Sequence, residues 1–237
     1  MMNLTHVSTA STMYPHRLKQ WTRVCVLMSL ILLAGCEHLM LLRMNSQELT
    51  ETKVDGNRLY LKGLINAKSY SQIKQVIHDN PQLDTLVLTV MPGSIDDEVN
   101  LKMCHFIRQQ GLHTYLLHNS VIASGAVDLF MSGVSREMEE GALLGVHSWS
   151  DGVNEALDYP KDAEEHAPYR FFYQSMVGND EFYWFTLRAA KADDIHWMSD
   201  AEIKHYPVLT SAVKKPSAEA PVFADLDAYR EEVISDE

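Results

Sequence analysis

Three positions carry the residue types a hydrolase uses, and all three fall where strands should end. Gly93 lies in the turn Met91-Pro92-Gly93-Ser94. Ser124 lies at the small-residue elbow Ala123-Ser124-Gly125-Ala126, and His147 closes the apolar run Ala142-Leu143-Leu144-Gly145-Val146. Open α/β sheets place their ligands at such strand ends. The chemistry these types suggest is acyl transfer at a serine. It needs a hydroxyl on a tight turn, an imidazole to take its proton, a carboxylate to orient the imidazole, and backbone N–H groups facing the developing oxyanion. Each type also has a plainer role. Serine on such a turn caps helices, a strand-end histidine can serve a neighbouring carbonyl, and Asp193 and Asp194 are ordinary turn acids.

The elements that must position these residues alternate in kind. Arg58–Ile65 alternates apolar and polar and is rich in strand formers, so the folded domain begins there. A helix follows over 69–77, with Ser69 as its capping residue and Asn80-Pro81 as its break. A buried strand spans 85–90, and Asp96, Asp97 and Glu98 place negative charge at the start of a helix running to about Gln110. A strand over 111–118, the elbow and its helix over 127–131, and a strand over 142–147 complete the pattern. Beyond the polar loop 150–161, helices are expected over 162–176, 180–190 and 200–205. The aromatic run from Tyr169 to Phe185 reads as a helical core or an interface. Strand–helix alternation with nearly continuous apolar strands indicates the α/β class.

Here the sequence resembles the Clp protease proteolytic subunit and, more loosely, its signal-peptide-peptidase relatives, over roughly Arg58 to Leu209. The resemblance implies a crotonase-like spiral of β-β-α units with additional C-terminal helices. In that family a Pro-Gly-Gly-Ser turn supplies an oxyanion donor, which maps to Gly93. An Ala-Ser elbow supplies the nucleophile, which maps to Ser124, with the Gly125 N–H as second donor. A strand ending in the catalytic histidine maps to His147. The order Ser, His, Asp is kept, but direct alignment puts Lys191 where the family has its acid. Asp193 is the preferred third member, with Asp194 as the alternative. Pro92 stands where the family has glycine, removing one backbone donor just before the turn.

The N-terminus bears on location. Arg17, Lys19 and Arg23 precede the apolar run Val24–Leu33, and the first acid is Glu37. That is the order of a signal peptide, and the run is shorter than the roughly 20 residues a spanning helix takes. Translation from Met13 would give a more ordinary signal than translation from Met1. Leu33-Ala34-Gly35-Cys36 resembles a bacterial lipobox, which would make Cys36 the lipidated first residue of the mature chain. The alternative is an uncleaved anchor, and both readings put the domain outside the cytoplasm. Acyl chains contribute about 0.8 kcal/mol per buried methylene, enough in combination to hold a domain at a membrane. Glu37 after Cys36 leans towards the outer membrane and a periplasm-facing domain.

The expected organisation is a signal segment over 1–35, a tether over 36–57, one domain over 58–210 and an acidic, mobile tail over 211–237. Losing the three basic residues leaves 17 Lys and Arg against 32 acids, a net charge of −15 with His neutral. Such a chain is a poor partner for nucleic acid or for anionic lipid. Cys104 has no partner left and reads as a buried thiol. No cofactor or metal is called for: the eleven histidines show no short ligand pair. The expectation is a lipid-anchored serine hydrolase acting on peptide or protein, capable of homo-oligomerising. The rival is a non-enzymatic binding or assembly module on the same fold.

Overall fold

An apolar run shielded on both faces is satisfied by parallel neighbours on either side, and β3 (Thr85–Met91) is such a run, with six of seven residues buried. In the computed structural model, which describes residues 43–218, 222–223 and 226–235, β3 lies between β2 (Arg58–Gly63) and β4 (His113–Ala123), parallel to both. The sheet order is β1 (Thr50–Asp55), β2, β3, β4, β6 (Leu143–Val146) and β7 (His196–Trp197). The short β5 (Arg136–Met138) also pairs with β4. Both edges, β1 and β7, are antiparallel. The α/β architecture read from the sequence is present. The signal segment and Cys36 lie outside the described residues, among which no helix is long and apolar enough to cross a membrane.

Three helices link the parallel strands. α1 (Ala67–Asp79) buries Ser69, Ile73 and Ile77, one face at four-residue spacing. Its cap is Asn66 rather than Ser69: the Asn66 side chain accepts from the Ser69 N–H at 2.8 Å, and the Ser69 hydroxyl accepts from the Asn66 N–H at 3.1 Å. α2 (Asp97–Gln109) is capped by Asp96 and buries Asn100, Leu101, Met103, Cys104 and Ile107. The short α3 (Gly125–Met131) leaves the end of β4 directly. Then come α4 (Ala167–Val177), α5 (Glu181–Ala189), α6 (Asp200–His205) and α7 (Leu226–Ser235).

Three boundaries differ from the sequence reading. The sheet starts at Thr50, inside the expected tether, because β1 is an edge strand whose exposed Glu51, Lys53 and Asp55 look like linker. β4 continues beyond His118 to Ala123. Its pairing with β3 shifts between Leu88 and Val90, and Ser120 satisfies the irregularity by donating to the Leu88 carbonyl (2.6 Å) and accepting from the Leu117 N–H (2.9 Å). That polar patch in mid-strand imitates a strand end. The described residues of the segment read as a mobile tail engage the sheet. Lys214 exchanges backbone bonds with Met138 and Glu140, Phe223 packs on Tyr60, Val87, Tyr115 and Leu117, and Arg230 donates to the Gly141 carbonyl.

One buried polar side chain ties these layers to the elbow. Asn100, fully buried on α2, donates from Nδ2 to the Gly125 carbonyl at 2.8 Å. Asn100→Ala removes that buried bond, and chemical denaturation is expected to show a loss of about 1–3 kcal/mol.

Candidate active site

Ser124 stands between β4 and α3 with φ +55° and ψ −132°, the one non-glycine residue at positive φ among the described residues. Such a conformation costs roughly 1–3 kcal/mol and persists only where its surroundings impose it. They do so by pairing. The Ser124 N–H donates to the Gly145 carbonyl on β6 (3.0 Å), and its own carbonyl accepts the Val127 N–H (2.8 Å). The result is a serine lifted off the end of the strand.

The turn after β3 presses against this elbow. A β-carbon on Gly93 (φ +141°) would lie 2.9 Å from the Ser124 β-carbon, and one on Gly125 would lie 2.2 Å from Ser94 Oγ and 2.8 Å from Asn100 Nδ2. Neither glycine has room for a side chain. Among the described residues, neither the Gly93 nor the Gly125 N–H has a hydrogen-bond partner. These are two unengaged donors flanking the serine.

Ser124, Gly125 and His147 line one cavity of about 380 Å³. His147 follows β6 and is partly exposed, while its Nδ1 is buried with no hydrogen-bond partner among the described residues. Asp193 and Asp194 do not reach it. Both are exposed, Asp194 accepts the N–H of Ile195 (2.8 Å), and only Ala192 of their loop lines the cavity. The acid expected to orient the imidazole is not beside it.

The cavity instead contains two carboxylates that the sequence reading left unassigned, Asp97 and Asp128. Asp97 accepts from Ser94 Oγ (2.7 Å) and from the Tyr169 hydroxyl (2.8 Å). Asp128, one helical turn beyond Ser124, accepts from the Tyr173 hydroxyl. Burial pushes the Asp128 carboxyl up to about 7; the Tyr173 bond opposes the rise and the nearby Asp97 charge adds to it. Tyr169 and Tyr173 are driven upward, first by burial and then by these same acids, so both stay protonated donors. In the sequence Asp97 passes for a helix-dipole acid and Asp128 for an ordinary helical residue. The only local hint was the four-residue spacing from Ser124 to Asp128.

Aromatic rings close the other side. Trp149 stacks on Tyr169 (centroids 5.9 Å apart, planes at 14°), and Tyr169 stacks on Tyr183 (5.5 Å, 3°). Trp149 Nε1 donates to the Tyr183 hydroxyl (3.0 Å), which also bonds Nδ1 of the fully buried His166 (2.6 Å). Part of the aromatic run read as core or interface is therefore cavity wall. Cys104 is fully buried, which pushes its thiol well up, and it stands apart from the lining.

No protein-family model and no curated protein matches the chain. Solved structures similar to it include the ClpP protease catalytic domain from Plasmodium falciparum (15% identity, 70% of this chain and 87% of that one, TM-score 0.48). A second is the 1510-N membrane-bound stomatin-specific protease (13%, 67% and 78%, 0.48), and a third is methylmalonyl CoA decarboxylase (10%, 80% and 81%, 0.47). These are likenesses of fold.

The Asp128 carboxyl gives a stability test with a definite sign. An ordinary aspartate titrates at 3.8, so a folded value of about 7 means the folded chain holds this proton more tightly than the unfolded chain does. The associated stability is present below pH 4 and is lost as pH rises to 7. Asp128→Asn mimics the protonated form and keeps an acceptor for Tyr173. Thermal melts are expected to show no gain at pH 3.5, a gain growing from pH 4 to 7, and a plateau beyond of about 2 kcal/mol, with about 4 kcal/mol as the ceiling.

Proposed function

We propose that this chain is a serine hydrolase in which His147 deprotonates Ser124 and the Gly93 and Gly125 N–H groups stabilise the tetrahedral intermediate. The observation that carries this reading is Ser124 itself, a non-glycine residue held at φ +55° at a strand end, in one cavity with a histidine and beside two unengaged backbone donors. In the first step Ser124 Oγ forms a bond to the acyl carbon as its proton passes to His147. His147 then returns that proton to the leaving group as the acyl bond breaks, and water repeats the sequence to release the acid.

With no carboxylate among the described residues on His147 Nδ1, the imidazole lacks the partner that fixes its tautomer. Losing that partner costs a full triad about 10⁴-fold in turnover. A slow hydrolase is expected, and peptide or protein is the preferred substrate class. The same orphaned Nδ1 favours the second reading, a binding module in which Ser124 no longer reacts.

A fluorophosphonate separates the two, because it reports an activated serine without requiring the physiological substrate. Covalent labelling of the purified protein is expected at Ser124, with Ser124→Ala abolishing it and His147→Ala lowering it at least about tenfold. A folded wild-type protein that takes no label, or Ser124→Ala labelling as well as wild type, sinks the hydrolase reading and leaves the binding module.

We also propose that the chain is exported and anchored through Cys36, with its domain facing the periplasm and the outer membrane as its site. The support is the order of basic residues, apolar run and Leu33-Ala34-Gly35-Cys36 in the sequence. Metabolic labelling of cells with a clickable palmitate analogue is expected to mark the wild-type protein. Cys36→Ala should lose both the label and co-sedimentation with membranes; retention of both would refute the anchor.

A further inference from the structure

The charges lining the cavity are lopsided. Asp97 and Asp128 both face it, and no lysine or arginine among the described residues lines it. Each acid is held by a tyrosine of α4, and Asp97 also by Ser94, so hydrogen bonds fix the carboxylates without neutralising them. Asp128 accepts through Oδ1 from Tyr173, and its Oδ2 has no partner among the described residues. Both acids are half-buried. A carboxylate partly shielded from water with no counter-ion beside it is unfavourable, and burial raises the Asp128 carboxyl to about 7. The rings of Trp149, Tyr169 and Tyr183, stacked on one another, wall the same cavity and bring no positive charge to it. Asp97 ties α2 to α4 and Asp128 ties α3 to α4, and each does so with one oxygen turned to a tyrosine. The second oxygen of Asp128, beside the serine, is left for a ligand.

Resting on the hydrolase reading of this same cavity, we infer that its substrate carries an ammonium or guanidinium group, as a lysine or arginine side chain does, seated against Asp97 and Asp128 beside the acyl carbon that Ser124 attacks. The cation supplies the counter-charge the cavity lacks. The excess of acids over the whole sequence would favour its approach.

The test is binding, measured apart from turnover. Isothermal titration of the full chain compares Nα-acetyl-lysine amide with Nα-acetyl-norleucine amide, which has the same stem without the charge. The lysine compound is expected to bind at least about tenfold tighter. Asp97→Asn and Asp128→Asn should each shrink that ratio towards one. Norleucine binding as tightly as lysine, or both variants keeping the full preference, overturns the inference. Fluorophosphonate labelling of wild type reports separately. A labelled serine with no lysine preference sinks this inference alone, and a lysine preference without labelling sinks the hydrolase reading alone.

Discussion

The rest of the site depends on one close approach, the turn after β3 packed against the elbow after β4. Two glycines make it: Gly93 lies against the Ser124 side chain, and Gly125 lies against Ser94. A single methyl group at either position would force the two loops apart, since it would come within 2.2–2.9 Å of its neighbours, well inside van der Waals distance. The parallel pairing of β3 with β4 brings the loops to the same end of the sheet, with Met91 opposite Ile122 in the last register. The buried bond from Asn100 to the Gly125 carbonyl then fixes α2 against the elbow. Sheet register, helix packing and glycine geometry thus converge on the position of one hydroxyl.

The placement of the acids changes what that hydroxyl experiences. In a triad the carboxylate sits behind the imidazole and stabilises the charge formed there. Here the carboxylates face the cavity, where an oxyanion would form, and two full negative charges would oppose it. Two features lessen that opposition. Near neutral pH Asp128 is partly protonated, because burial holds its carboxyl at about 7. Tyrosine and serine hydroxyls donate to both acids and draw charge off their oxygens. A cationic substrate group would remove the remainder, so the proposed preference and the proposed reaction have one electrostatic origin.

What was legible in the sequence was local. Small residues around Ser124, a glycine after an apolar strand and a histidine closing another are signals spanning a few residues, and they mark strand ends whatever the tertiary context. The acids were not legible in this way. Asp193 and Asp194 look suitable by chain order, yet their loop reaches the cavity with Ala192 and leaves both side chains in solvent. Asp97 and Asp128 lie on helices whose acids have an adequate local explanation. Their involvement depends on contacts with Tyr169 and Tyr173, 72 and 45 residues away in sequence. The same limit hid β1, whose charged exposed face reads as linker, and the segment around Phe223, which contributes one apolar ring to a small cluster on the sheet.

The conformation of Ser124 bears on whether the site reacts or merely binds. A residue that only caps α3 needs an extended backbone and a side-chain bond to the first turn, and Ser124 has neither: its φ is positive and its hydroxyl makes no capping bond. Glycine would occupy the same position without strain. A binding module would therefore gain stability by replacing Ser124 with glycine, and would lose only a hydroxyl that bonds to nothing among the described residues. A hydroxyl kept in a strained backbone and unbonded among the described residues is the kind of feature that accompanies a functional site, and it is what the proposed reaction uses. In that reaction the unpartnered Nδ1 of His147 bears on rate, because only the tautomer with its proton on Nδ1 leaves Nε2 free to take the serine proton.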